Sequence, residues 1–259
     1  MRCVTCLCGL RVEADDSAAL DGAFLAHTDD QHGDLKVPDW RRQELVEAIR
    51  RSGGWDGERE TIEGPIELRP LTPALKDEYI AYFDGPAFAD NPVWAQCYCL
   101  SYHQDMPQST IDSRRSEQNR ADRAAQIERG EASGVMAFAG GRVVGWCNAS
   151  PRASLPLLDR TPGFESDDPE HTGAIVCYVI APRYRGQGIA RRLLEGATDM
   201  LRVRGFRWLD AYPPKAAPTP AASYHGRLDM YVDAGFQRVR EAGRHIVVRK
   251  ALSEGGSYR

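Results

Sequence analysis

The sequence predicts a mixed α+β fold, strands and helices in one domain, with a small cysteine- and histidine-bearing unit ahead of it. Three observations predict it. Ala174 to Ala181 is an unbroken apolar run of strand length that leads through Pro182 and a glycine pair into an amphipathic helix. Gly134 to Trp146 reads as two strands joined at Gly140-Gly141, a strong hairpin signal. Three of the seven cysteines and two of the six histidines fall within the first 32 residues, which sets that segment apart.

Residues 1–51 form the first expected unit. Cys6-x-Cys8-Gly9 predicts a turn in which two thiolates face one ion, and Asp15 to His32 predicts a helix carrying His27 and His32 near its end. Thiolate and imidazole are the ligands zinc prefers in a closed, four-coordinate structural site. A unit below about 60 residues seldom stabilises itself by core burial alone. The expected ligands are therefore Cys6, Cys8, His27 and His32. Cys3 is the alternative to Cys8, because Cys3-x2-Cys6 has the commoner knuckle spacing. Four protein ligands leave no open position for catalysis. A second helix, Trp40 to Arg51, places Trp40, Leu45, Val46 and Ile49 on one side. Residues 52–64, rich in glycine and charge, suit a linker.

The main domain is expected over 65–252, followed by a tail at 253–259. Ile66 to Leu71 is its first strand, Ile111 to Glu131 a long charged helix, and the Gly-Gly hairpin supplies the next two strands. Pro182 removes a ladder donor and ends the central strand. Beyond it, Ile189, Ala190, Leu193, Leu194, Ala197, Met200 and Leu201 fall on one helix face. Arg207 to Pro213 reads as a strand, Leu228 to Phe236 as a helix with Gly235 as its left-handed terminal residue, and His245 to Lys250 as the last strand. Two loops stand out: Leu155 to Thr172 with five carboxylates, and Pro213 to Ala222 with four prolines in eight residues.

The chemistry sits at Arg183-Tyr184-Arg185-Gly186-Gln187-Gly188-Ile189-Ala190. Glycines there let the backbone approach a ligand, and the free N–H groups of the helix's first turn favour a bound phosphate. A glycine pair before a helix is weak evidence alone, but Arg183-x-x-Gly186-x-Gly188 after a strand and a proline resembles the acyl-CoA loop of the GNAT superfamily of N-acyltransferases. The resemblance extends over residues 65–252, through the hairpin, the Trp208 strand and the Tyr-containing helix closed by Gly235-Phe236. It implies a GNAT fold, a central mixed, mostly antiparallel sheet flanked by helices, with acetyl-CoA or another acyl-CoA as donor. It also implies contacts from the main chain of Ile180 and from Arg183, Arg185, Gly186, Gln187, Gly188, Ile189 and Ala190. An amine would attack the thioester directly, and Tyr231 matches the family's acid position. The asparagine usual after the fifth strand is missing, replaced by the Pro213 to Ala222 insertion. The Cys-x-Cys-Gly and His-x4-His-Gly pattern of the first unit likewise resembles small bacterial zinc-binding modules of the DUF1059 kind.

Cys97, Cys99, Tyr102, Trp146 and Tyr224 are the expected lining of the acceptor pocket, where a small-molecule amine would sit. The general base is not legible. The central strand has no carboxylate, only Cys177 and Tyr178, and Glu170, His171 or Asp210 would act through water. Hydrophobic content of 42% and charged content of 27% suit a soluble globular protein. A net charge of −4 carries no footprint for nucleic acid. No apolar run approaches the roughly 20 residues of a membrane span, and Met1 to Cys6 lacks signal architecture, so the cytoplasm is the expected location. An odd, scattered set of cysteines argues against a secreted disulfide framework. Two rival readings keep the fold. An aminoacyl-tRNA donor would use the helix Arg114 to Arg129, with Arg120 and Arg123, although Glu117, Asp122, Glu128 and Glu131 dilute its charge. A non-catalytic acyl-CoA sensor would use the zinc unit to dock a partner.

Overall fold

The computed structural model describes residues 1–6, 8–32, 38–216 and 223–252; the expected tail 253–259 and most of the Pro213 to Ala222 insertion lie outside the described residues. At the N-terminus β1 (Arg2–Thr5) and β2 (Arg11–Ala14) pair antiparallel. Helices α1 (Ser17–His32) and α2 (Asp39–Ser52) pack beside them. Val4, Val12, Leu20, Phe24, Leu45 and Ile49 make a core of their own. The two strands were not legible in the sequence: each is four residues long, too short to show a period.

The stretch expected as a linker is tied at its start to the first unit. Cys3 N–H donates to Trp55 C=O at 2.7 Å, and Trp55 N–H returns to Cys3 C=O at 2.9 Å.

The main sheet runs in the order β3 (Glu67–Pro70), β4 (Val135–Ala139), β5 (Arg142–Pro151), β6 (Thr172–Ile180), β7 (Trp208–Ala211), β9 (His245–Ala251), β8 (Gln237–Ala242). Every neighbouring pair is antiparallel except β6 with β7. Alternation along β5 fixes the layers. A Cβ on Gly145 would meet Ile189 and Leu193 of α7 (Ile189–Val203), so that face is covered by α7. The next residue, Trp146, points the other way and meets Tyr79 of α3 (Lys76–Asp84) edge-on at 5.0 Å. The central elements β4, β5, β6 and α7 share one core. Among the described residues no helix is long and apolar enough to cross a membrane.

Two expectations need correction. The helix expected from Ile111 to Glu131 is broken into α4 (Gln108–Ser113) and α5 (Ser116–Glu128), with Arg114 and Arg115 extended between them. The Gln118 side chain stabilises that break by accepting the Arg115 N–H at 2.9 Å. Strand β8 was not anticipated, because as an edge strand it keeps four of its six residues exposed and has no apolar run.

Asp210 on β7 is 1% exposed and accepts two bonds from Arg249 of β9, at 2.6 and 2.7 Å. Removing one partner of a buried pair strands the other charge, at a cost of about 3–5 kcal/mol. Asp210→Asn is expected to lower unfolding stability toward the low end, about 3 kcal/mol, because Arg249 keeps 21% exposure. Urea denaturation measures it, and a loss under about 0.5 kcal/mol would show the pair to be screened.

Candidate active site

The β6–α7 junction builds a cradle. Gly188 caps α7 with a left-handed φ of 79°, and Gly186 before it has φ 81°. Among the described residues the N–H groups of Gly186, Gln187, Gly188, Ile189 and Ala190 have no hydrogen-bond acceptor. Five donors at the positive end of a helix dipole suit a pyrophosphate.

The side chains of this loop are largely committed within the chain. Arg183 pairs with Asp56 at 3.3 Å and Glu60 at 3.5 Å. Arg185 grips Asp90 with both guanidinium nitrogens and donates through Nε to Ile180 C=O at 3.0 Å. Gln187 accepts the Ile62 N–H at 2.9 Å and donates to Glu60 C=O at 2.8 Å. Glu60 N–H bonds Arg183 C=O at 3.0 Å. Residues 56–62 therefore strap the outside of the loop, and what remains for an anion is main chain.

Beside the cradle the sheet opens. Strands β6 and β7 pair only from Thr172/Trp208 to Ile175/Ala211, so the far half of β6 has a free edge. Tyr178 N–H points into the gap and donates to Tyr224 C=O at 2.6 Å. By strand alternation the N–H of Ile180 faces the same side, while its C=O is held by Arg185. This is where a pantetheine arm could run.

Tyr231, on α8 (Leu228–Asp233), stands at the wall of this gap. It is fully buried, donates its phenol proton to His225 C=O at 2.7 Å and lies 3.5 Å from the Tyr178 hydroxyl. Burial holds the phenol well above its usual value, so it stays protonated at neutral pH. Gly226 makes the approach feasible: its φ is 82°, and any Cβ there would come within 3.0 Å of the Tyr231 hydroxyl.

The expected pocket residues gather on the α3 side of β6, with one exception in kind. Tyr102 bonds His225 Nε2 at 3.0 Å, and the Tyr224 ring lies 4.1 Å from that imidazole. Cys97 Sγ lies 3.5 Å from Ser101 Oγ. Cys99 is buried, and it and Tyr98 have φ of 53° and 44°. Such strain costs of order 1–3 kcal/mol per residue and tends to occur at functional sites. Trp146 is fully buried beneath Tyr79 and Arg123, so it is a core residue and lines no surface. A separate cavity of 570 Å³ opens behind the loop, bounded by Arg2, Trp55, Tyr82, Arg142 and Arg183, and touches none of these residues.

Sequence reasoning missed Asn148, whose amide meets Cys99 C=O at 3.2 Å and His103 Nε2 at 3.1 Å. The available signal was a lone amide in the apolar stretch Gly145 to Ala149.

The candidate bases are poorly placed. Asp210 is committed to Arg249. Glu170 and His171 precede Thr172, roughly 20 Å of strand from Tyr178, and His171 bonds Asp168 at 2.6 Å. Burial lowers both His103 and His225 to about 3, leaving neutral imidazoles with little basicity. In the first unit, one ligand atom each of Cys6, Cys8, His27 and His32 lies within 4.8 Å of the others, with Cys6 to His32 at 3.3 Å and Cys8 to His27 at 3.4 Å. Cys3, the alternative, stays in β1 outside this group, 2% exposed.

Comparison with known proteins bears on the same region. No curated protein matches the chain. Solved structures similar to it include the PaiA N-acetyltransferase of Thermoplasma acidophilum in complex with coenzyme A, at 13% identity over 73% of this chain and 99% of that one, with a TM-score of 0.43. A ribosomal-protein-alanine N-acetyltransferase from Brucella melitensis shares 19% identity over 71% and 99%, with a TM-score of 0.43. The YncA protein of Salmonella typhimurium, a putative acetyltransferase with acetyl-CoA, shares 14% over 75% and 98%, with a TM-score of 0.41. The sequence model of the acetyltransferase (GNAT) family matches residues 99–229. That match leaves out residues 1–98 and 230–259, Tyr231 among them, and takes in β6, the cradle and α7. It spans 131 of the 259 residues, and the chain belongs to the acetyltransferase (GNAT) family, whose chemistry is acyl transfer.

Proposed function

We propose that this protein transfers an acetyl or other acyl group from acyl-CoA to the amine of a small molecule by direct attack on the thioester. The observation that carries this reading is the run of five N–H groups at Gly186 to Ala190 that have no acceptor among the described residues, beside the open edge of β6. Those donors would hold the pyrophosphate, with the pantetheine arm lying along Ile180. Tyr231 would donate its proton to the departing thiolate, turning from His225 C=O to do so. Cys97, Cys99, Tyr102 and Tyr224 would surround the amine, with Trp146 behind them. Thiol release from acetyl-CoA across a panel of amines, with charged tRNA run in parallel, tests the donor. Thiol release only in the presence of an amine supports the reading, and binding without turnover favours the sensor.

The tRNA alternative loses support in the fold. Arg114 pairs with Asp122, Arg120 with Asp84 at 2.9 Å and Arg129 with Glu131 at 2.7 Å, while Arg123 is fully buried.

The first unit is proposed to hold one structural zinc on Cys6, Cys8, His27 and His32. Tetrahedral zinc with these ligands separates donor atoms by ~3.3–3.8 Å, and the two sulfur–nitrogen contacts of 3.3 and 3.4 Å fit that spacing. The ion would staple the β1–β2 turn to the end of α1. Metal analysis of untagged protein is expected to give one zinc per chain. Cys8→Ser should release it and Cys3→Ser should retain it; metal-free but fully folded protein would exclude the site.

A further inference from the structure

Asn148 and Cys177 sit opposite each other in the β5–β6 ladder, so both side chains rise from the same face of the sheet. Asn148 Nδ2 reaches Cys99 Sγ at 3.4 Å, which brings that sulfur down onto the strand beside Cys177. Cys177 lies directly across the ladder from the residue that holds this sulfur, so the two thiols are neighbours on one face of the sheet. Cys99 is not free to drift away. Arg123 bonds its C=O at 3.3 Å, and Tyr79 bonds the C=O of Tyr98 at 2.8 Å, which together lock two residues in the left-handed region.

The chemistry of the two sulfurs is unequal. Burial pushes the Cys99 thiol up, but the neighbouring Cys177 thiol, the Arg123 charge and the Asn148 donor outweigh it and bring Cys99 below the ordinary cysteine value. Cys177 moves the opposite way, through the neighbouring Cys99 and through burial. One partner is therefore disposed to be a thiolate while the other keeps its proton. Cys177 is part-buried, and Cys99 beside it is buried.

We propose that Cys99 and Cys177 form an oxidisable dithiol at the acceptor pocket, whose substrate is a small peroxide and whose product is an intramolecular disulfide. The Cys99 thiolate attacks one peroxide oxygen, the O–O bond breaks, and hydroxide leaves to be protonated to water. Cys177 then attacks the resulting sulfenic sulfur, the S–O bond breaks, and the Cys177 proton leaves with the oxygen as a second water. Two thiols lose two electrons, and the peroxide gains them. Cys97, directed to Ser101, takes no part.

Peptide mapping of the full-length, metal-loaded protein tests this without any mutation. Reductant is removed, hydrogen peroxide is added at about one equivalent, free thiols are capped with N-ethylmaleimide, and the protein is digested without reduction. The expected result is a cross-linked peptide joining Cys99 to Cys177, two fewer capped thiols out of seven, and recovery of both on adding a thiol reductant. Cys97→Ser should leave the cross-link in place, whereas Cys177→Ser should leave Cys99 as a sulfenic acid trapped by dimedone. A cross-link of Cys97 to Cys99, or oxidation confined to the first unit while Cys99 and Cys177 stay capped, would overturn the proposal.

Discussion

Gly188→Val is expected to abolish measurable acetyl-CoA binding while the sheet and the first unit stay folded. A Cβ at Gly188 meets no protein atom within 4 Å, so the new side chain would occupy open space at the middle residue of the five donors. There it would block close approach to the N–H groups of Gly186 to Ala190. Hydrogen bonds to a charged partner contribute about 1.5–3 kcal/mol each. Losing two of them weakens binding at least ~100-fold, since each 1.4 kcal/mol is a factor of ten. The φ of 79° adds local strain for a β-branched residue. That strain falls at the start of α7, whose buried face at Leu193, Leu194, Ala197 and Leu201 is untouched. Calorimetry with circular dichroism on the same sample separates the two effects. Unchanged affinity in a folded variant would remove the cofactor assignment.

Tyr231→Phe is expected to lower turnover on the order of 100- to 10,000-fold, the usual cost of removing a general acid, and to leave acetyl-CoA affinity nearly unchanged. Phenylalanine keeps the ring contacts with Tyr178 at 6.5 Å and Phe236 at 5.1 Å and deletes only the hydroxyl. The effect belongs to kcat because the proton is needed only as charge builds on the leaving sulfur. Burial holds the phenol well above its ordinary value, so the protonated form persists through neutral and mildly alkaline pH. No loss of activity from deprotonation of Tyr231 is therefore expected between about pH 6 and 9. Wild-type turnover in the variant, under conditions where chemistry limits the rate, would transfer the role to Tyr178, whose hydroxyl lies 3.5 Å away.

What the sequence determined by itself was whatever is written in consecutive residues. The apolar run of β6, the glycine turn, the amphipathic α7 and the β4–β5 hairpin each carry their signal within about a dozen positions. All four appear in the structure within two residues of their predicted starts, and the hairpin's second strand ends at Pro151 rather than at Trp146. The spacing of Cys6, Cys8, His27 and His32 was legible for the same reason, since a turn and one helix suffice to bring them together.

Only the tertiary structure decided what those elements face. Edge strand β8 and the short β1 and β2 have no period of their own and exist through their partners. The cradle's arginines look like phosphate ligands in the sequence, yet Asp56, Glu60 and Asp90, from far upstream, already neutralise them. Asn148 meets Cys99 across 49 residues of chain, and Tyr102 meets His225 across 123. Contacts at such separations depend on which strands pair and which side chains alternate onto a shared face, and local propensity says nothing about either. The cradle could therefore be read from eight consecutive residues, whereas the cluster of Cys99, Tyr102, Asn148 and His225 beside it forms only once the sheet has closed.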